Sequence, residues 1–264
     1  MNQVRKGHVE AGGVHYGYEI RGDGPPLLLL HGGFGTMDMF QPVLGRFTER
    51  RQVITVDLYG HGRTALTDRP IDPVAMGDDM ASVVRALGFE RVDVLGFSFG
   101  GMVAFRLAVQ HPDVVDRLIL ASAPYAYEGF YADIREQQKG IRAEFMMQTP
   151  LYAIYKAVAP RVEDFPEFVA RMGEAIRTPY DWSEDAKTLK PTTLLVYGDS
   201  DMFEPAHIVR FYQLPGGGLR DAGWDGAGMV RHRLAILPGV THYGMSDAPG
   251  LADAALAFLE GARG

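Results

Sequence analysis

Short apolar runs rich in Val, Ile and Leu recur along the chain, separated by longer stretches with the three-to-four-residue spacing of amphipathic helices. That alternation predicts βαβ units around a mostly parallel central sheet. Buried strands are expected at 27–31, 52–58, 91–97, 117–123, 192–198 and 233–238, each nearly continuous in apolar side chains, as a strand covered on both faces requires. Pro73 to Leu87 and Gly100 to Gln110 read as helices, the second ending before His111-Pro112 because proline restricts the residue that precedes it. The beginning of the chain differs. Val14-His15-Tyr16-Gly17-Tyr18-Glu19-Ile20 alternates and stops at Gly22-Asp23-Gly24-Pro25, the pattern of antiparallel edge structure ahead of the parallel strands.

The strand rhythm pauses between Ala123-Pro124 and Lys190-Pro191. This stretch has helical periodicity and many large side chains, among them Tyr125, Phe130, Phe145, Met146, Tyr155, Phe168, Met172 and Trp182. Most are expected to hold the segment together, the ordinary role of aromatic and Met stripes, and the remainder to line an apolar pocket. A second irregular stretch, from Gln213 to Gly228, is too rich in glycine for a helix or strand interior. It reads as a long loop on the active-site side that becomes ordered on ligand binding, with Trp224 reporting the change.

Composition narrows the function classes. With 47% apolar and 22% charged residues among 264, the chain can build a large core. The net charge of −7 and the lack of a basic stripe argue against nucleic-acid binding. There is no cysteine, which excludes disulfides and thiolate metal sites. Met1 to His8 lacks the apolar core of a signal peptide, and no segment approaches the roughly 20 apolar residues that a membrane span needs. A cytoplasmic location is expected.

The most informative motif is Val94-Leu95-Gly96-Phe97-Ser98-Phe99-Gly100-Gly101, in which an apolar run ends at a serine flanked by glycines. In a strand-to-helix elbow of this form the serine sits on a strained turn, and the small neighbours let backbones approach. Three more loops follow predicted strands: His31-Gly32-Gly33-Phe34-Gly35, Asp199-Ser200-Asp201, and Val240-Thr241-His242. Their order (serine, acid, histidine) is the one that this elbow requires, and all four loops converge at the carboxyl ends of strands. A serine hydroxyl is a weak nucleophile at neutral pH, so a base must take its proton during attack. His242 fits that role, and Asp199 and Asp201 are both candidates to orient it.

With these motifs the chain resembles the α/β-hydrolase superfamily over nearly its whole length, among the esterase-like members that have HGG, G-x-S-x-G-G and G-x-x-D motifs. The resemblance implies an α/β-hydrolase core at 1–123 and 191–264 with an inserted helical cap at 124–190. It selects Asp201 as the acid beside Ser98 and His242, and it gives the oxyanion hole to the backbone N–H groups of Phe99 and of Phe34, or Gly33 in a shorter reading of the loop. Gly33, Phe97, Tyr125 and Phe130 are expected to border the substrate, together with Met146, Trp182 and Trp224. His31 is expected to hold the oxyanion loop, and His61 and Asp57 to be structural. The implied activity is hydrolysis of a small, fairly hydrophobic ester or lactone without cofactor or metal. Carbon–carbon bond hydrolysis and perhydrolysis use the same triad, and a ligand-sensing receptor is the alternative outside enzymes. Serine at the elbow argues against haloalkane dehalogenase and epoxide hydrolase, which carry aspartate there.

Overall fold

The structure is a computed structural model that describes residues 4–261. Its apolar runs form β3 (Pro26–Leu30), β4 (Gln52–Val56), β5 (Val92–Phe97), β6 (Val115–Ala121), β7 (Thr192–Ser200) and β8 (Arg233–Thr241). Adjacent members of this set are parallel, and the eight-stranded sheet has the order β1-β2-β4-β3-β5-β6-β7-β8. The remaining two strands are antiparallel, as the opening pattern predicts for one of them. β2 (Val14–Arg21) pairs with β4, and β1 (Arg5–Ala11) pairs with β2 around the turn Gly12-Gly13. β1 has no signature among the predicted strands, because it is an edge strand of mostly polar residues with only Ala11 fully buried. Both turn glycines have positive φ, +55° and +75°, as a tight two-residue hairpin turn requires.

The helices are α1 (Gln41–Thr48), α2 (Pro73–Ala86), α3 (Phe99–Gln110), α4 (Ala132–Lys139), α5 (Ala143–Met146), α6 (Pro150–Val158), α7 (Phe165–Arg177), α8 (Ser183–Lys187), α9 (Pro205–Gln213) and α10 (Pro249–Glu260). Strand alternation divides the core into two layers. Leu27, Leu29, Leu95, Phe97, Ile119 and Val196 pack with Val43, Phe47, Leu251 and Leu259 of α1 and α10. Leu28, Leu30, Val94, Leu118, Leu120 and Tyr197 pack on the other face with α2, α3 and α9. Burying a side chain of this size contributes about 1.5–3 kcal/mol, so the two layers determine strand register as well as stability.

β8, expected among the buried strands, is instead the edge strand on the far side of the sheet and has no fully buried residue, and two further expectations change. β7 continues through Ser200 and β8 through Thr241, held by the pair Ser200↔Thr241, so Asp199 lies within a strand and Asp201 is the first residue beyond it. The Gly-rich loop is the second correction. α9 carries the chain from the carboxyl end of β7 back across the sheet, so residues 214–232 lead into the amino end of β8. Arg231 Nη2 donates to Leu189 O at 3.1 Å, next to the start of β7. The loop therefore lies at the edge opposite the serine elbow, and Trp224 on it is fully exposed. Glycine content signals irregular backbone, but the helix that precedes a loop decides which edge it reaches. Between β6 and β7 the chain is helical as expected, and α7 buries Phe165, Phe168, Val169 and Met172.

Several buried histidines tie this fold to pH. Burial holds His207 and His232 down to about 4, and burial aided by the neighbouring His31 holds His61 down to about 3. In the unfolded chain each titrates near 6.5. The unfolded state thus binds more protons across this interval, and the stability present above about pH 6.5 is lost as pH falls towards 4 and below. Thermal melts should show a Tm that declines steadily from about pH 6.5 to about pH 4. A Tm constant over that range would contradict the neutral, buried state of these rings.

Candidate active site

Ser98 stands between β5 and α3 with φ +53° and ψ −118°, a left-handed backbone that costs a non-glycine residue of order 1–3 kcal/mol. Neighbouring glycines make the turn possible. A Cβ at Gly96 would lie 2.4 Å from Gly100 O, and one at Gly100 would lie 2.3 Å from both Leu30 O and His31 O. The elbow thus presses α3 against β5 and against the end of β3. Ser98 stays partly open to solvent. Phe99 is the first residue of α3, so its N–H has no helical acceptor and is available at the helix start.

The loop after β3 lies over this elbow. A Cβ at Gly32 would lie 2.8 Å from the Phe97 ring and 3.4 Å from Ser98 Cβ, and one at Gly33 would lie 2.9 Å from Met172 and 3.5 Å from Phe99, so the two glycines let the loop approach the elbow. The turn is closed by Gly35 N–H donating to Gly32 O at 3.2 Å, and Phe34 inside it has φ +60°. His31 clamps the loop: its Nε2 accepts from Leu58 N–H at 3.0 Å, which leaves Nδ1–H to donate to Gly32 O at 2.8 Å. Burial lowers the pKa of His31, keeping the ring in this neutral tautomer. Asp57 anchors the continuation of the loop by accepting from Met37 N–H at 2.7 Å, and it also takes Arg63 N–H and Nη1 at 2.9 and 3.0 Å. His61 is fully buried, with Nδ1 on Tyr59 O at 2.9 Å.

His242 opens a short 3₁₀ turn immediately after β8. Its Nε2 is 2.9 Å from Ser98 Oγ and its Nδ1 is 2.9 Å from Asp201 Oδ1. A carboxylate can only accept, so Nδ1 carries the proton and Nε2 is left to accept from the serine hydroxyl. The ring is held between Phe97 and Phe203, at 5.2 and 5.7 Å between centroids. Burial pushes the Asp201 carboxyl upward, but hydrogen bonds and attraction from His242, with hydrogen bonds from Ser122 and the Met202 N–H, outweigh it and hold the pKa below its usual value. Asp199 is placed differently. It is exposed and accepts from Gly239 N–H at 2.9 Å, joining the ends of β7 and β8.

The structure brings Ser98, Asp201, His242, Phe34, Phe99, Gly33 and Phe97 together. Phe130 reaches the site through Phe203, 4.7 Å away between rings. The other pocket candidates fall elsewhere. Tyr125 stacks on His207 at 4.1 Å, and Trp182 stacks on Phe105 with the Arg106 guanidinium 5.2 Å from its ring. Trp182, Tyr180 and Met102 wall a cavity of about 550 Å³ between α7 and the loop before α2, which does not include Ser98. Met146 is half-buried on α5, and Trp224 lies at the opposite edge of the sheet. A different cavity, of about 420 Å³, opens beside the histidine and is walled by Tyr131, Ile134, Met202, Asp201, His242 and Tyr243. Sequence reasoning does not single out Ser122 or Phe203. Nor does it separate Phe168 and Met172 from the other large side chains, because proximity across elements leaves no local signature.

Comparison with known proteins gives consistent relatives. A family model described as alpha/beta hydrolase fold matches residues 25–217. A protein of Azorhizobium caulinodans named as a carbamate hydrolase, RutD, is 29% identical over 209 residues, covering 72% of this chain and 79% of the relative. An uncharacterized protein of Mycobacterium tuberculosis is 26% identical over 270 residues, covering 90% and 75%. Among solved structures, the enol-lactonase of Burkholderia xenovorans superposes with a TM-score of 0.74 at 19% identity, covering 97% of this chain and all of the other, a likeness of fold.

Proposed function

Since this chain belongs to the α/β-hydrolase family, we propose that it is a serine hydrolase of small, neutral, fairly hydrophobic esters or lactones. The observation that carries the reading is the pair of 2.9 Å contacts that link Ser98 Oγ to His242 Nε2 and His242 Nδ1 to Asp201. Ser98 Oγ attacks the ester carbonyl carbon while its proton passes to Nε2, and the carbonyl electron pair moves onto oxygen. The N–H groups of Phe99 and Phe34 meet that oxyanion, each such donor being worth about 2.7–4 kcal/mol in the transition state. The electron pair then returns, the carbon–oxygen bond breaks, and Nε2–H gives its proton to the departing alcohol. Water repeats the sequence on the acyl-enzyme and frees the acid and Ser98.

Apolar surroundings support the substrate class. Above the elbow, Met172 lies against Gly33 and the Phe34 ring meets Phe168 edge-on at 5.7 Å, so the acyl chain lies among apolar groups. The cavity bounded by Tyr131, Ile134 and Tyr243 opens beside His242, and in this reading the alcohol leaves on that side of the ring. In this reading 124–190 is the cap, with α7 as the helix that covers Ser98, and the enzyme acts without metal or cofactor. The test is an aryl-ester panel graded in acyl and alcohol size, run with fluorophosphonate labelling. Expected are turnover that favours short, uncharged acyl groups and stoichiometric labelling confined to Ser98, found by peptide mass mapping. Tight ester binding with no turnover and no label would replace the enzyme with a receptor of the same fold.

A further inference from the structure

Among the described residues, only Phe34, Ser98 and Ser122 combine a side chain with positive φ. The first two are the proposed oxyanion donor and nucleophile. The third stands at the carboxyl end of β6 with φ +48°, fully buried, with its N–H donating to Val196 O at 2.8 Å. Its hydroxyl lies 2.5 Å from Asp201 Oδ2, where it donates to the carboxylate oxygen that His242 does not use. The other donor to Oδ2 is the Gly198 N–H at 3.3 Å, so Ser122 makes the closer of the two contacts. Glycine would take this backbone without strain, whereas serine takes it at a cost.

We propose that Ser122 is a positioning residue, which donates its hydroxyl hydrogen to Asp201 and fixes the plane of the carboxylate that in turn orients His242. This rests on the triad reading above. With Met202 N–H on Oδ1 at 2.8 Å and Ser122 on Oδ2, the carboxylate is gripped at both oxygens. Rotation of the group would break one contact or the other. A hydrogen bond to a charged group is among the stronger kind, so losing this one is felt at Nδ1 of His242 rather than at the substrate.

Two substitutions separate this role from a structural one. Ser122→Gly removes the hydroxyl and relaxes the backbone; Ser122→Thr keeps the hydroxyl and places a β-branched residue at positive φ, where it is strained. If Ser122 positions Asp201, kcat of the Gly variant falls about 10- to 100-fold with KM unchanged. The Thr variant keeps more activity than Gly yet melts at lower temperature. Activity and stability then rank the two variants in opposite orders. A Ser122→Gly enzyme with wild-type kcat overturns the proposal, as does activity that simply follows Tm. Should the Thr variant fail to fold, the kcat and KM of Ser122→Gly decide alone. Failure of this proposal by itself leaves Ser98→Ala inactive and Ser122→Gly fully active. Failure of the triad reading shows instead as hydrolysis by Ser98→Ala and overturns both.

Discussion

Ser98→Ala is expected to lower kcat by about a million-fold, the scale seen when a triad nucleophile is removed from a serine hydrolase. In the proposed mechanism the loss is large because the hydroxyl is the group that forms the covalent bond, so no neighbouring side chain can compensate. Some rate above background should survive, since the proposed oxyanion donors, the N–H groups of Phe34 and Phe99, would still polarise a bound carbonyl. The fold should tolerate the change. Alanine at φ +53° carries the same backbone strain as serine, and the hydroxyl is only partly buried. Circular dichroism and Tm should therefore match wild type while ester turnover falls to that residual rate and fluorophosphonate labelling vanishes. A folded Ser98→Ala protein that hydrolyses esters at near wild-type rates would move the chemistry to another residue.

Replacing Asp201 with Asn should cost about 10⁴ in kcat, because an amide in place of the carboxylate no longer holds His242 with its proton on Nδ1. The wrong tautomer presents an N–H to Ser98 Oγ where a lone pair is needed. Part of the loss is electrostatic, since the imidazolium that forms during attack faces a neutral group. Asp199→Asn, two residues away, should stay close to wild type. Its carboxylate accepts from Gly239 N–H, a bond that the Asn carbonyl can also accept. Steady-state kinetics on one aryl ester ranks the pair, and the reverse order would give the acid role to Asp199.

The contrast between these aspartates illustrates how much of the site was legible in the sequence. Both follow an apolar run and both are preceded by Gly198, so local pattern alone does not separate them, and the family resemblance is what selects Asp201. The structure separates them by one physical fact. β7 extends through Ser200, which leaves Asp199 exposed at the sheet edge and turns Asp201 inward as the chain departs. Trp224 shows the opposite outcome. Its glycine-rich setting resembled a functional flank, yet α9 reverses the chain and delivers the loop to the amino ends of the strands. Tyr125 and Trp182 likewise have the right composition for a pocket at the serine, but their rings stack on His207 and Phe105, and the cavity that Trp182 walls does not include Ser98.

The sequence by itself determined the parallel sheet, its strand order of appearance along the chain, the helical stretch between β6 and β7, and the loops that contain Ser98 and His242. These are local signals. Buried strands need unbroken apolar runs, the elbow needs small residues at Gly96 and Gly100, and loops at strand ends carry side chains whose type reveals their chemistry. Only the tertiary structure decided which groups meet across elements. It placed Phe203 and Phe97 around the His242 ring, Met172 of α7 against Gly33, and Ser122, just beyond β6, on Asp201 of the loop after β7. Such contacts join residues as many as 144 positions apart, as with Ser98 and His242. They follow from the sheet register and from the direction in which each helix returns, and no window of sequence encodes either quantity.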